Sequence, residues 1–162
     1  MDFASSVPYV AAALIIVGTL ASGPLALADR PAPAEQSNQI GTGSVTISEV
    51  RLPATGTLRQ GQFGEDSFYV QVPAATVLFD GIEGRPILTY KLEISALGYT
   101  RESAFFLGPD TGDRMQLSLE RDELPPDDVQ NDSYAGTLRV VDRTGEESRV
   151  VAERNITVEV RR

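Results

Sequence analysis

From Phe3 to Ala28 the chain carries no charged residue, and from Ser44 onward it changes to short stretches in which apolar and polar positions alternate. The first pattern is long enough to cross a bilayer as a helix, since about 20 apolar residues at roughly 1.5 Å each span a hydrocarbon core of about 30 Å. The second has the period of two that belongs to half-buried strands. Phe68, Val70 and Val72 alternate with Tyr69 and Gln71, placing the first three inward. Leu88, Tyr90, Leu92 and Ile94 alternate with Thr89, Lys91, Glu93 and Ser95, a strand with one buried and one wet face. Met115, Leu117 and Leu119 repeat the pattern, and Ser103–Leu107 adds a short strand. In Ser44–Leu52 the phase shifts between Val45, Ile47 and Val50, Leu52, which predicts a bulge near Glu49. Thr76–Phe79 reads as a short edge piece ended by Asp80-Gly81. Tyr134–Val141 and Val150–Val160 form a final hairpin about a Thr144-Gly145 turn. The expected fold is all-β, a single antiparallel β-sandwich of about seven to eight strands preceded by an N-terminal hydrophobic helix.

The uncharged segment admits two main readings, with a buried helix of a soluble fold as a third. Its densest apolar run, Val10–Leu20, suits a signal-peptide core, and Ala26-Leu27-Ala28 has the small-x-small form of a cleavage site. Retained, the same segment is a transmembrane anchor through residues 3–28. Asp2 stands where a basic flank is expected, so orientation is weakly marked. In both main readings the remainder lies outside the cytoplasm, secreted or held at the outer face of the membrane. Residues 29–43, rich in Pro, Ala, Gln and Gly, read as a flexible linker. Residues 44–162 are enough for one domain with its own core.

Composition narrows the chemistry. With 23 acidic and 14 basic residues the formal charge is −9, which argues against nucleic acid and against recruitment to an anionic lipid surface. An acidic surface with Lys91 as its single lysine suits a high-salt solvent. The absence of His and Cys removes Ser-His-Asp and Cys-His sites, thiol redox chemistry, His/Cys zinc sites and disulfides. No cofactor is expected.

The remaining candidates each have a plainer account. Asp122, Glu123, Asp127, Asp128 and Asp132 supply oxygen ligands of the kind a hard cation takes, but without regular spacing they read as a solvated acidic loop. Asp110-Thr111-Gly112-Asp113 has the same standing beside a simple turn. A carboxylate-based glycosidase needs a cleft and gains from an aromatic platform, and the chain has no Trp. Lys91 reads as a solvent-face charge. Phe105 and Phe106 are adjacent, so on a strand only one enters the core, and the other, with the outward Tyr69, is a candidate contact patch. Asn131-Asp132-Ser133 and Asn155-Ile156-Thr157 are glycosylation sequons.

Asp132, Tyr134 and Gly136 stand in the D-x-Y-x-C pattern that opens the penultimate strand of immunoglobulin-like domains, with Gly136 at the cysteine position. On these residues the chain resembles the broad immunoglobulin/fibronectin-like class. It lacks the cysteine pair and core tryptophan of antibody-type domains. The resemblance implies that Tyr134 acts as a tyrosine corner, its hydroxyl bonded to upstream backbone. With its leader and acidic composition, the whole chain is similar to exported or membrane-anchored proteins of salt-loving archaea. The expected function is a non-catalytic cell-envelope module that contacts another envelope protein. The alternative is a membrane-anchored subunit of a surface appendage, similar to archaellum stator proteins, and a small carboxylate-based hydrolase is the third class.

Overall fold

A computed structural model describes residues 39–61 and 67–162. The segment 3–28, residues 29–38 of the linker and residues 62–64 of the turn at 61–64 lie outside the described residues. What is described is all-β and belongs to one unit of the chain, Glu35–Arg162. The described strands are β1 (Thr42–Arg51), β2 (Thr55–Gln60), β3 (Phe68–Gln71), β4 (Ala75–Arg85), β5 (Ile87–Ile94), β6 (Tyr99–Phe106), β7 (Arg114–Leu117), β8 (Asp122–Leu124), β9 (Ser133–Asp142) and β10 (Arg149–Arg161). Among the described residues the helical pieces are two single turns, Ser95–Leu97 and Pro126–Asp128, and no helix is long and apolar enough to cross a membrane.

The strands form two sheets, one of order β1-β4-β7 and one of order β6-β5-β9-β10-β2-β3-β8. All pairings are antiparallel except that of β2 with β10, so the expectation of a wholly antiparallel sheet is corrected. The larger sheet curls until its outermost strands approach. Tyr99 on β6 donates from its hydroxyl to Asp122 on β8 at 3.2 Å, and Arg101 pairs with Glu120 at 2.8 Å and with Asp122 at 3.7 Å. The sheet is therefore nearly closed, with side chains across the seam in place of a backbone ladder.

The core follows the alternation. Leu88, Tyr90, Leu92 and Ile94 are fully buried on one face of β5, where each apolar side chain contributes about 1.5–3 kcal/mol on burial. Phe68 and Val70 from β3, Leu138 and Val140 from β9, and Ile156 and Val158 from β10 join them, while Val45, Ala75, Val77, Phe79 and Leu117 close the core from the smaller sheet. β1 shifts register at Thr46/Ile47 and again at Ile47/Glu49, which keeps Val45, Ile47 and Val50 all against the core.

Three strand assignments change. β2 was concealed by turn residues, and its Leu58 is fully buried because a central position between β10 and β3 covers it. β4 runs through Asp80-Gly81 to Arg85 and lies between β1 and β7, so Thr76–Phe79 is no edge piece. Its far half is held by close backbone approach. A Cβ on Gly43, at φ 106°, would stand 2.0 Å from the Glu83 carbonyl oxygen. The acidic loop, finally, contains β8 and a single helical turn.

Candidate binding face

The outward side of β6-β5-β9-β10 divides into bands. Register aligns Ala104, Thr89, Val141 and Val150 across four strands, and Phe106 stands one step further along, opposite Ile87. In antiparallel pairs, residues opposite one another project to the same side. Thr89 was expected on the wet face, yet it is only 2 % exposed, flanked by Ala104 and Val141 with its hydroxyl toward the Val141 carbonyl at 3.5 Å. Val141 is buried as well. Phe106 and Val150 are exposed by 56 % and 55 %, and Ile40, the third large hydrophobic exposed among the described residues, precedes Gly41, which bonds Arg85 and Gly145 at the same end.

The next band is charged. Glu102, Lys91, Arg139 and Glu153 lie in register. Arg139 reaches Glu153 and, at 3.0 Å, Glu93, while Lys91 lies 3.8 Å from Glu93. The hydrogen bond from Arg139, with a second from Ser95, holds the Glu93 carboxyl below the usual carboxylate range. Lys91 thus belongs to a solvated ion-pair network.

Beside Phe106 a cleft of about 780 Å³ opens where residues 107–113 pass from the larger sheet to β7 in the smaller one. Arg85, Asp110, Arg114 and Met115 line it. Its loop is shaped locally: Gly108 and Thr111 exchange hydrogen bonds at 2.9 and 3.0 Å, and the Asp113 carbonyl accepts from Phe79 N–H at 2.8 Å. Asp110–Asp113 therefore forms part of a sheet-to-sheet turn.

The other sequence candidates are dispersed. Phe105 packs against the core and Phe106 faces outward. Tyr69 does not join Phe106. Its ring lies under Arg121 at 4.2 Å on the β3–β8 side, whereas Phe106 is five residues along β6 from Arg101, about 17 Å at strand rise from the seam. The predicted three-residue patch is thus corrected to Phe106 with a different set of neighbours. Signals for that set existed in Val140-Val141 and Val150-Val151, adjacent apolar pairs of the kind that flagged Phe105-Phe106, but only register reveals that their outward members meet.

The loop carboxylates do not converge. Asp122 is engaged by Tyr99 and Arg101, Asp132 pairs with Arg162 at 2.6 Å, and among the described residues no three acidic side chains gather as a metal site. Asp127 and Asp128 sit on the exposed Pro126–Asp128 turn, and Glu123 is exposed opposite Tyr69. Tyr134 is 5 % exposed, and its hydroxyl accepts from the backbone N–H groups of Gln130 at 2.9 Å and Asn131 at 3.0 Å. Gly136 is buried against Val158, Ile156 and Leu92. Asn131 and Asn155 are both exposed, the latter accepting from Thr137 at 3.2 Å.

No protein family, curated protein or solved structure matches the chain.

Proposed function

We propose that the chain is a non-catalytic, extracytoplasmic module that makes protein contacts at a cell envelope through the face bearing Phe106 and Val150. The observation that carries this reading is the apolar band Ala104–Thr89–Val141–Val150 with Phe106 beside it, bordered by an ion-paired band. An apolar centre with a polar rim is the anatomy of a protein interface. The non-catalytic part is supported by a chain without His or Cys and by the direction in which its perturbed carboxyls move. Glu49 and Glu93 are both shifted toward the ionised form, the opposite of what a general acid needs.

An immunoglobulin-like assignment is supported by two further features. Strands β6-β5-β9-β10 follow the C′-C-F-G order and β1-β4-β7 the A-B-E order of that class. Tyr134 has the geometry of a tyrosine corner, bonded to backbone three and four residues upstream. Strands β2, β3 and β8 are additions that carry the larger sheet toward closure.

Photo-cross-linkers at positions 106, 150 and 128 in intact host cells test the contact reading. Protein adducts from 106 and 150 with none from 128 are expected; equal adducts from all three, or none, overturn it. Location is read separately from the intact mass of the native product. A chain starting at Asp29, or a full-length chain found only with membranes and open to external protease, is expected; a full-length chain in the soluble cell interior overturns it.

A further inference from the structure

We propose that the cleft beside Phe106 receives a carboxylate-bearing segment of the partner protein, with an apolar side chain of that segment against the Phe106 ring. The inference rests on the protein-contact reading and names the chemistry of the occupant. Of the arginines in the described residues, seven are ion-paired with carboxylates. Arg121 lies over Tyr69, and Arg154 donates to the Leu52 carbonyl at 2.9 Å. Three remain without a side-chain partner among the described residues, Arg59, Arg85 and Arg114, and two of these three line the same cleft.

That placement runs against the composition. In a chain of net charge −9, carboxylates are abundant, and yet Asp110 shares the cleft lining without forming an ion pair to either arginine. Two guanidinium groups and one carboxylate leave the lining side chains with a surplus positive charge. A planar guanidinium presents paired N–H donors that match a carboxylate in bidentate fashion. The volume, about 780 Å³, falls within the range of pockets that take small ligands, about 300–1,000 Å³, enough room for one or two acidic side chains. Phe106 at the rim supplies the aromatic anchor typical of an interface centre.

Competing occupants fit less well. A long polyanion would continue from the cleft over a strongly acidic surface, whereas a segment with two or three acids ends within it. Charges further away than the Debye length of about 8–10 Å at moderate salt are largely screened.

The test uses full-length protein in detergent and a capped, fluorescein-labelled peptide, Asp-Leu-Asp-Leu-Asp, with its Asn-Leu-Asn-Leu-Asn counterpart as control. Saturable anisotropy with the acidic peptide alone is expected, at least tenfold weaker in the double variant Arg85→Gln, Arg114→Gln and unchanged in Arg59→Gln. Phe106→Ser is expected to weaken binding while leaving the charges in place. Both arginines and Phe106 are exposed, so thermal melts of the variants should match the parent. No binding at millimolar peptide, equal binding of the two peptides, or equal loss in Arg59→Gln overturns the proposal. Cross-linking from position 106 keeps the two readings apart: an adduct without a response to the acidic peptide removes only the acid assignment, and no adduct removes the contact reading itself.

Discussion

Tyr99 and Asp122 join the two outermost strands of the seven-stranded sheet through a single hydroxyl-to-carboxylate hydrogen bond of 3.2 Å. The bond spans a seam where β6 and β8 are no longer paired through their backbones, and β8 is only three residues long. Tyr99 is 8 % exposed, so Asp122 and not water is the main partner of its hydroxyl. Tyr99→Phe should destabilise the fold by about 1.5–3 kcal/mol, the range for a hydrogen bond to a charged group. Denaturant melts measure it, and an unchanged midpoint would mean the seam is held by the contacts of Arg101 and Ser103 instead.

The same residue sets a pH dependence. Burial, reinforced by the nearby Asp122 carboxylate, pushes the Tyr99 hydroxyl well above its ordinary 10.0, and burial does the same to Tyr90. The raised value means that the folded protein holds protons which the unfolded chain releases. This stability is fully present below pH 10 and is lost as the pH rises above it. Thermal melts from pH 8 to about 12 should show a falling midpoint, with a shallower fall in Tyr99→Phe.

Tyr134→Phe keeps the ring and deletes the acceptor for the N–H groups of Gln130 and Asn131. Two backbone donors then share one lost partner. The expected cost is about 1–3 kcal/mol by urea denaturation, and a change below about 0.5 kcal/mol would show that solvent replaces the hydroxyl at that turn.

Two glycines should respond differently to Ala. At Gly136 the added methyl would stand 3.2 Å from Val158 Cγ2 and 3.4 Å from Ile156 and Leu92 carbons, all side-chain atoms. Overpacking there costs about 1–3 kcal/mol. At Gly43 it would meet the Glu83 carbonyl at 2.0 Å, and backbone cannot rotate away. Gly43→Ala should therefore cost more than Gly136→Ala, as judged from melting temperatures measured side by side.

Salt should stabilise the protein, and chelator should not change it. The charge of −9 produces self-repulsion, and screening shortens from about 10 Å at 0.1 M to about 3 Å at 1 M salt. Scanning calorimetry in low and molar salt, with and without chelator, checks both parts. A lower melting temperature on adding chelator would point back to the carboxylates of residues 122–132.

Alternation along the chain was sufficient to locate β3, β5, β9 and β10 and most of their core-facing members, because a strand's side chains face alternate sides whatever its neighbours are. Leu88, Tyr90, Leu92 and Ile94 are the clearest case. The same local rule recognised that Phe105 and Phe106 must part, and the turn at Gly145, with φ 79°, was legible from residue type. Tyr134 was singled out by a short pattern, and the missing His and Cys bounded the chemistry before any geometry was known.

Pairing between distant segments was decided only in the tertiary structure. β2 is a strand because β10 and β3 cover it on either side, and nothing in Thr55–Gln60 alone specifies a parallel partner about a hundred residues away. Thr89 looked solvated by alternation and is buried because Ala104 and Val141 align beside it. Tyr69 and Phe106 looked equivalent as outward aromatics, yet the curl of the sheet separates them. The cleft with Arg85 and Arg114 likewise forms only where a loop crosses between sheets, so side chains remote in sequence acquire a shared neighbourhood that no local periodicity encodes.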